Sequence, residues 1–268
     1  MALAKPYYRI IRPGPNASIH KFVTDSRYAP DHKNLARAYL NIEESLWSIF
    51  NYIEPAEKNK GVFSHELYTL LLRACTEVEA NLRAILLANG KTEPVKTKAN
   101  GDSYTIHFTM KDYREVEESS LLSKYTVELP FWRKEDGTIS SLELTPFAAF
   151  QGDDELPWYA AYNTVKHNRE ANFEEASLEN CINAVAGILV VLYSQFGASC
   201  LGVRRGDIGF FFEGDERDYD DLMFRGNTRF IINPPTRGDW PEAKQYDFSW
   251  NSLKDTVEPF EKYPFTTR

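Results

Sequence analysis

The chain is poor in cysteine: Cys75, Cys181 and Cys200 are its only thiols in 268 residues. An odd number with no C-x-x-C spacing excludes a zinc ribbon and a dithiol redox motif, and points to a reducing compartment. Cys75 and Cys181 fall inside helical patterns, where small buried thiols are common. Long apolar runs are also missing. The longest, Ile182–Phe196, is interrupted by Asn183, Ser194 and Gln195 and is shorter than the ~20 residues a bilayer needs. The first residues carry Lys5, Arg9 and Arg12 with no apolar stretch between them, unlike a secretory signal. A soluble cytoplasmic chain with no membrane partner is expected. Positive charge is scarce too, with 31 Lys and Arg against 39 Asp and Glu, a net charge of -8. This excludes a broadly basic surface that coats nucleic acid, so any RNA contact must be focal.

Several catalytic signatures are missing. No phosphate-binding G-x-x-x-x-G-K-[ST] loop, no dinucleotide fingerprint and no G-x-S-x-G nucleophile elbow occurs. The acidic run from Glu213 to Asp221 lacks the ligand register of a calcium loop and reads as a solvated loop. His20, His32, His65 and His107 share no ligand spacing, and neither metal nor cofactor is expected.

What is present is apolar content of 43%, enough for a substantial core. Pro6, Pro13, Pro15 and Pro30 mark residues 1–30 as an extended arm. Leu35, Tyr39, Ile42, Leu46, Ile49 and Ile53 then recur at helical spacing and stop before Pro55. A second helix opens at Ser64, an N-cap with Phe63 and Tyr68 placed as a hydrophobic staple, and stops at Asn89-Gly90. Residues 91–150 change character. Alternation in Tyr104, Ile106, Phe108 and in Tyr125, Val127, Leu129, with an Asp136-Gly137 turn, predicts a small β insertion. Pro157 suits the first turn of the next helix, and Ser177 caps a largely apolar one closed by Gly197. Residues 198–268 hold Phe210–Phe212, Phe230, Ile231 and Ile232, then Trp240, Tyr246, Phe248 and Trp250. They predict a packed extension with short strands and one helix near Ser252–Glu258. The division expected is an arm over 1–30, a helical domain over 31–197 and an extension over 198–268. The class is mainly helical with added strands, α+β overall.

One segment, Trp158–Arg169, gathers several chemically capable side chains. At ~100° per residue, Tyr162, Lys166 and Arg169 fall on one arc with Asn163 and His167 beside them. Trp158, Ala161 and Val165 lie on the side of that arc away from Asn163 and His167. A histidine that titrates near neutrality serves as general acid or base, and a neighbouring cation stabilises charge on a phosphate. That toolkit suits RNA cleavage by the ribose 2′-hydroxyl, leaving a cyclic phosphate. The competing reading is a polar helix end that supplies capping and salt bridges. Arg73 with Glu77 and Glu79 with Arg83 are spaced as surface ion pairs. Glu77 is alternatively placed to orient His167 or Arg169 from the facing helix.

Tyr162-Asn163-Thr164-Val165-Lys166-His167 resembles the R-N-x-x-x-H motif of HEPN (higher eukaryotes and prokaryotes nucleotide-binding) domains. The helix from Glu66 to Leu87 is similar to an earlier helix of that bundle, so the resemblance spans about residues 33–196 without the β insertion. It implies a HEPN-like helical bundle that dimerises and acts as a metal-independent endoribonuclease of a toxin, abortive-infection or antiviral-defence system, with a partner protein of such a system. The alternative it implies is a non-catalytic module that binds RNA or a nucleotide, or scaffolds. Carried onto this chain, His167 is the general acid/base and Asn163 its orienting residue. Tyr162 replaces the family arginine, leaving Lys166 or Arg169 to supply positive charge.

Overall fold

The structure, a computed structural model, describes residues 2–15, 17–200 and 228–266. The Cys200 side chain, Phe210–Phe212 and the acidic run lie outside the described residues.

Four long helices carry the core: α1 (His32–Ile49), α2 (His65–Ala88), α5 (Pro157–His167) and α6 (Leu178–Phe196). Between α2 and α5 lie two short helices, α3 (Met110–Tyr113) and α4 (Val116–Ser120). Helix α6 is apolar all round because it is buried all round, which makes it a core helix. It is the one described helix long and apolar enough to cross a membrane, and 83% of that stretch is buried inside the protein. Helix α2 packs along it, α1 lies across both, and α5 covers the remaining flank. The caps form as the sequence expects. Ser64 Oγ accepts from Leu67 N and Ser177 Oγ accepts from Asn180 N, each satisfying an otherwise orphaned amide. Gly197 ends α6 at a φ of 55°, where a side chain would be strained. Cys75 and Cys181 are buried and unpaired, their thiols held protonated by burial.

The insertion is partly strand. β1 (Val95–Thr97) and β2 (Ser103–Thr105) make an exposed hairpin. β3 (Thr126–Arg133) pairs antiparallel with β4 (Ile139–Leu144) across the Asp136-Gly137 turn. The predicted strand through Phe108 stops at Thr105, because Thr109 opens α3 with a reciprocal cap to Asp112. The C-terminal extension completes the sheet: β5 (Ile231–Asn233) joins the other edge of β3, giving the order β4-β3-β5.

The arm is not wholly extended, since Ala17–Thr24 forms a 3₁₀ helix. It is stapled to the extension. Leu3 bridges to Tyr246 and Tyr7 to Glu261. Buried Arg12 donates to the carbonyls of Ser119 and Lys244 and sits 5.0–5.3 Å from the rings of Tyr7, Trp240 and Tyr263. The last helix, α7, is Trp250–Leu253, two residues ahead of its expected start and far shorter. Tyr246, Trp250 and Phe260 join Phe22 and Tyr28 in one aromatic layer, so these rings complete the core.

Candidate functional site

Helix α5 is anchored by Trp158. Its indole Nε1 donates to the Pro146 carbonyl at 2.8 Å, and its ring meets Phe147 edge-on. The ring lies so close to α6 that a Cβ at Gly187 would stand 3.3 Å from it. Trp158, Ala161 and Val165 are buried, which fixes the helix rotation and thereby the direction of every polar side chain. The helix runs antiparallel to α2: Tyr159 meets Glu79 near its start, and Arg169, just past its end, meets Tyr68.

On the flank facing α2, Tyr162 and Lys166 come together. Lys166 Nζ donates to Tyr162 Oη at 2.9 Å and lies 4.8 Å from the centre of the same ring. The phenol hydrogen bond raises the Lys166 pKa, with burial opposing it and Glu79 adding attraction. One turn earlier, Tyr159 Oη donates to Glu79 Oε1 at 2.6 Å. Burial first, and then that carboxylate, push the Tyr159 phenol well above its ordinary value. Tyr113 closes the group, its phenol pushed up to about 12 by burial and then by Glu79 and Glu93. Glu79 and Tyr159 escape sequence reasoning, because Glu79 reads there as the surface partner of Arg83. Arg83 instead makes a two-toothed pair with Glu93 at 2.9 and 2.6 Å. The recoverable signal is Tyr159, Tyr162 and Lys166 at i, i+3 and i+7, one stripe of a helix.

Asn163 and His167 occupy the outward face, half-buried and exposed respectively. Neither side chain has a described hydrogen-bond partner, and they stand one turn apart. Lys166 and Arg169, expected to supply charge beside His167, have their described contacts on Tyr162 and Tyr68 instead. Arg169 lies beyond the last helical residue, His167, and its guanidinium sits 5.6 Å over the Tyr68 ring. Around it the Phe173 ring touches Phe63, His65 and Tyr68 at 4.8–6.2 Å. Phe63 and Tyr68, expected to staple each other, both pack on Phe173 instead.

Among the described residues Glu77 bonds neither His167 nor Arg169; burial raises its pKa, with Arg73 partly offsetting this. Arg73 turns away to donate to Ser45 Oγ at 3.1 Å. The expected pair of Glu79 with Arg83 on α2 is therefore replaced by contacts to other elements. No cluster of three or more metal-ligating side chains occurs among the described residues.

Chemically, the arrangement separates two surfaces. One is a phenol–ammonium–carboxylate row whose groups satisfy each other. The other is an open face that presents an imidazole, an amide, and an arginine stacked among half-exposed rings. No family model, no curated protein and no solved structure matches the chain.

Proposed function

We propose that the chain is a HEPN-like module that binds single-stranded RNA or a nucleotide through the open end of α5. The observation that supports this best is the stacked group Arg169, Tyr68, Phe173 and His65 next to exposed His167 and Asn163. Rings with a free face take bases by stacking, arginine adds cation–π attraction and a phosphate contact, and an amide reads base edges. Of the cations that cleavage needs, Lys166 is bonded to Tyr162, and Arg169 sits over Tyr68 past the helix end, placed for a backbone phosphate. A developing phosphorane beside His167 thus lacks the fixed positive charge that stabilises it. Glu170, Glu174 and Glu175 follow at once in the chain, so binding rests on stacking more than on charge.

The test is fluorescence anisotropy with a labelled single-stranded RNA across a salt series. One or two phosphate contacts give a log–log salt slope of about -0.7 to -1.4. Arg169→Ala and Tyr68→Ala each weaken binding ~10-fold, since a stacked base is worth ~1–3 kcal/mol. Equal affinity in both variants would refute the assignment.

Endoribonuclease activity is the second reading, favoured by one observation: His167 and Asn163 are both outward and in i,i+4 register. A homodimer pairing two α5 ends would bring two imidazoles to one cleft, with the second copy supplying the missing charge. Its setting would be the defence or toxin system that the resemblance implies.

A further inference from the structure

The β4-β3-β5 sheet leaves β4 at one edge, and among the described residues no other strand pairs with it. The strand reads Ile-Ser-Ser-Leu-Glu-Leu. It carries neither the lysine nor the proline by which proteins commonly protect a strand edge from pairing. Its exposure alternates: residues 139, 141 and 143 face solvent, while 140, 142 and 144 turn towards the core. That is the pleat a further strand would continue.

Two features lie along this edge. The first is a cavity of about 170 Å³ between β4 and the start of α6, lined by Leu142, Leu144 and Ile182 with the polar Lys60, Glu143, Glu179 and Asn183 also on its wall. Drug-sized ligands occupy ~300–1,000 Å³, so this volume suits one side chain. Lys60 is already committed, at 2.6 Å to Glu57 and 3.5 Å to Glu179. The second is a like-charge pair on the outer face. Glu128 and Glu143 stand directly opposite each other across β3 and β4. Adjacent like charges in a sheet repel. Glu128 is partly relieved by Asn233 Nδ2 at 3.3 Å, and Glu143 has no described cation beside it.

We propose that β4 is a docking edge for an extended peptide segment of a partner protein, with basic and apolar residues alternating. The added strand sets a lysine or arginine opposite Glu143, extending the row Ile231, Glu128, Glu143 by the cation it lacks. The residues on either side of that cation fall opposite Leu142 and Leu144, on the inner face. From there an apolar side chain enters the cavity. Backbone pairing gives the affinity, and the alternate pockets give the specificity. This site is separate from the α5 end and does not depend on the RNA reading.

The probe is a fluorescein-labelled peptide, Gly-Lys-Val-Lys-Val-Lys-Val-Gly, titrated with the full chain by anisotropy, with amide exchange followed on residues 139–144. Saturable binding is expected, with protection of β4 amides. Methylating alternate peptide nitrogens abolishes binding, and Glu143→Lys weakens it at least 10-fold. Glu143 is exposed, so that variant folds. Asn183→Trp, which enlarges a side chain on the cavity wall, weakens binding without changing the charge. Several results would overturn the proposal. Undiminished binding of the methylated peptide would reduce the contact to simple charge attraction. Equal affinity in Glu143→Lys would remove the assigned partner, and absence of binding would refute the site. A concentration-dependent dimer that protects the same amides without peptide would make a second copy the occupant instead.

Discussion

Whether Lys166 is free to serve a phosphate depends on its bond to Tyr162, and a double-mutant cycle measures that bond. In Tyr162→Phe the ring stays, so packing against Tyr159 and the cation–π contact persist, and only the acceptor is lost. A hydrogen bond to a charged group is worth ~1.5–3 kcal/mol when buried, but the ammonium of Lys166 is largely in water and the value shrinks to about 0.5–1 kcal/mol. Lys166→Met removes the same bond together with a cation–π contact of ~0.5–1 kcal/mol, for a total of about 1–2 kcal/mol. With the ammonium gone, the phenol has nothing to lose. Adding Tyr162→Phe then costs almost nothing, and the coupling between the positions is about 0.5–1 kcal/mol. Urea unfolding of the four proteins, with constant m-values, gives the number directly. A coupling below ~0.3 kcal/mol would show that Lys166 is not held by Tyr162. Its charge would then be free to act beside His167.

Three further outcomes are expected. His20 is half-buried, with its Nε2 2.8 Å from the Arg12 carbonyl, and desolvation lowers its pKa. The unfolded chain therefore takes up the proton first. Stability is full above about pH 6.5 and falls as the pH drops below it; His20→Gln flattens that slope between pH 7 and 5 in urea titrations, and an unchanged slope would contradict the burial. The Glu93 carboxyl is held down to about 2, chiefly by the Arg83 guanidinium, so its contribution is present above about pH 4.5 and is lost as the pH falls towards 2. Arg83 is 44% exposed, which limits the cost of Glu93→Gln at pH 7 to ~1 kcal/mol, and this gap from the native chain should narrow between pH 5 and 2. Gly197→Ala places a Cβ 3.1 Å from Ile11 at a φ of 55° and should cost ~1–3 kcal/mol in thermal or urea unfolding; a neutral result would show that the helix end relaxes freely.

The helices were legible because their signals are local. Ser64, Ser177, Pro157 and Gly197 sit where caps and stops belong, and the apolar spacing of α2 leaves no other face to bury. The sheet was half legible: Asp136-Gly137 announces β3 and β4, but β5 reaches β3 across about a hundred residues of chain, and no local pattern encodes such a pairing. The site was the least legible. Residue spacing places Tyr162, Lys166 and Arg169 on one arc only if α5 continues past His167, and it stops there. Arg169 then turns back to Tyr68. Glu79, Arg83 and Arg73 each find partners on other elements, which a helix-local pairing rule cannot foresee. Rotation of α5 is fixed by burial of Trp158, Ala161 and Val165, with Trp158 close against Gly187 of α6, and that contact exists only once α6 is in place.

The most direct test of the RNA reading is a single incubation of end-labelled single-stranded RNA with the native chain and His167→Ala in EDTA, read by native gel for binding and denaturing gel for product ends. Binding by the native chain that weakens in His167→Ala, with RNA intact in both lanes, is the predicted result. Fragments with cyclic phosphate ends that vanish in His167→Ala would contradict it and establish the ribonuclease instead.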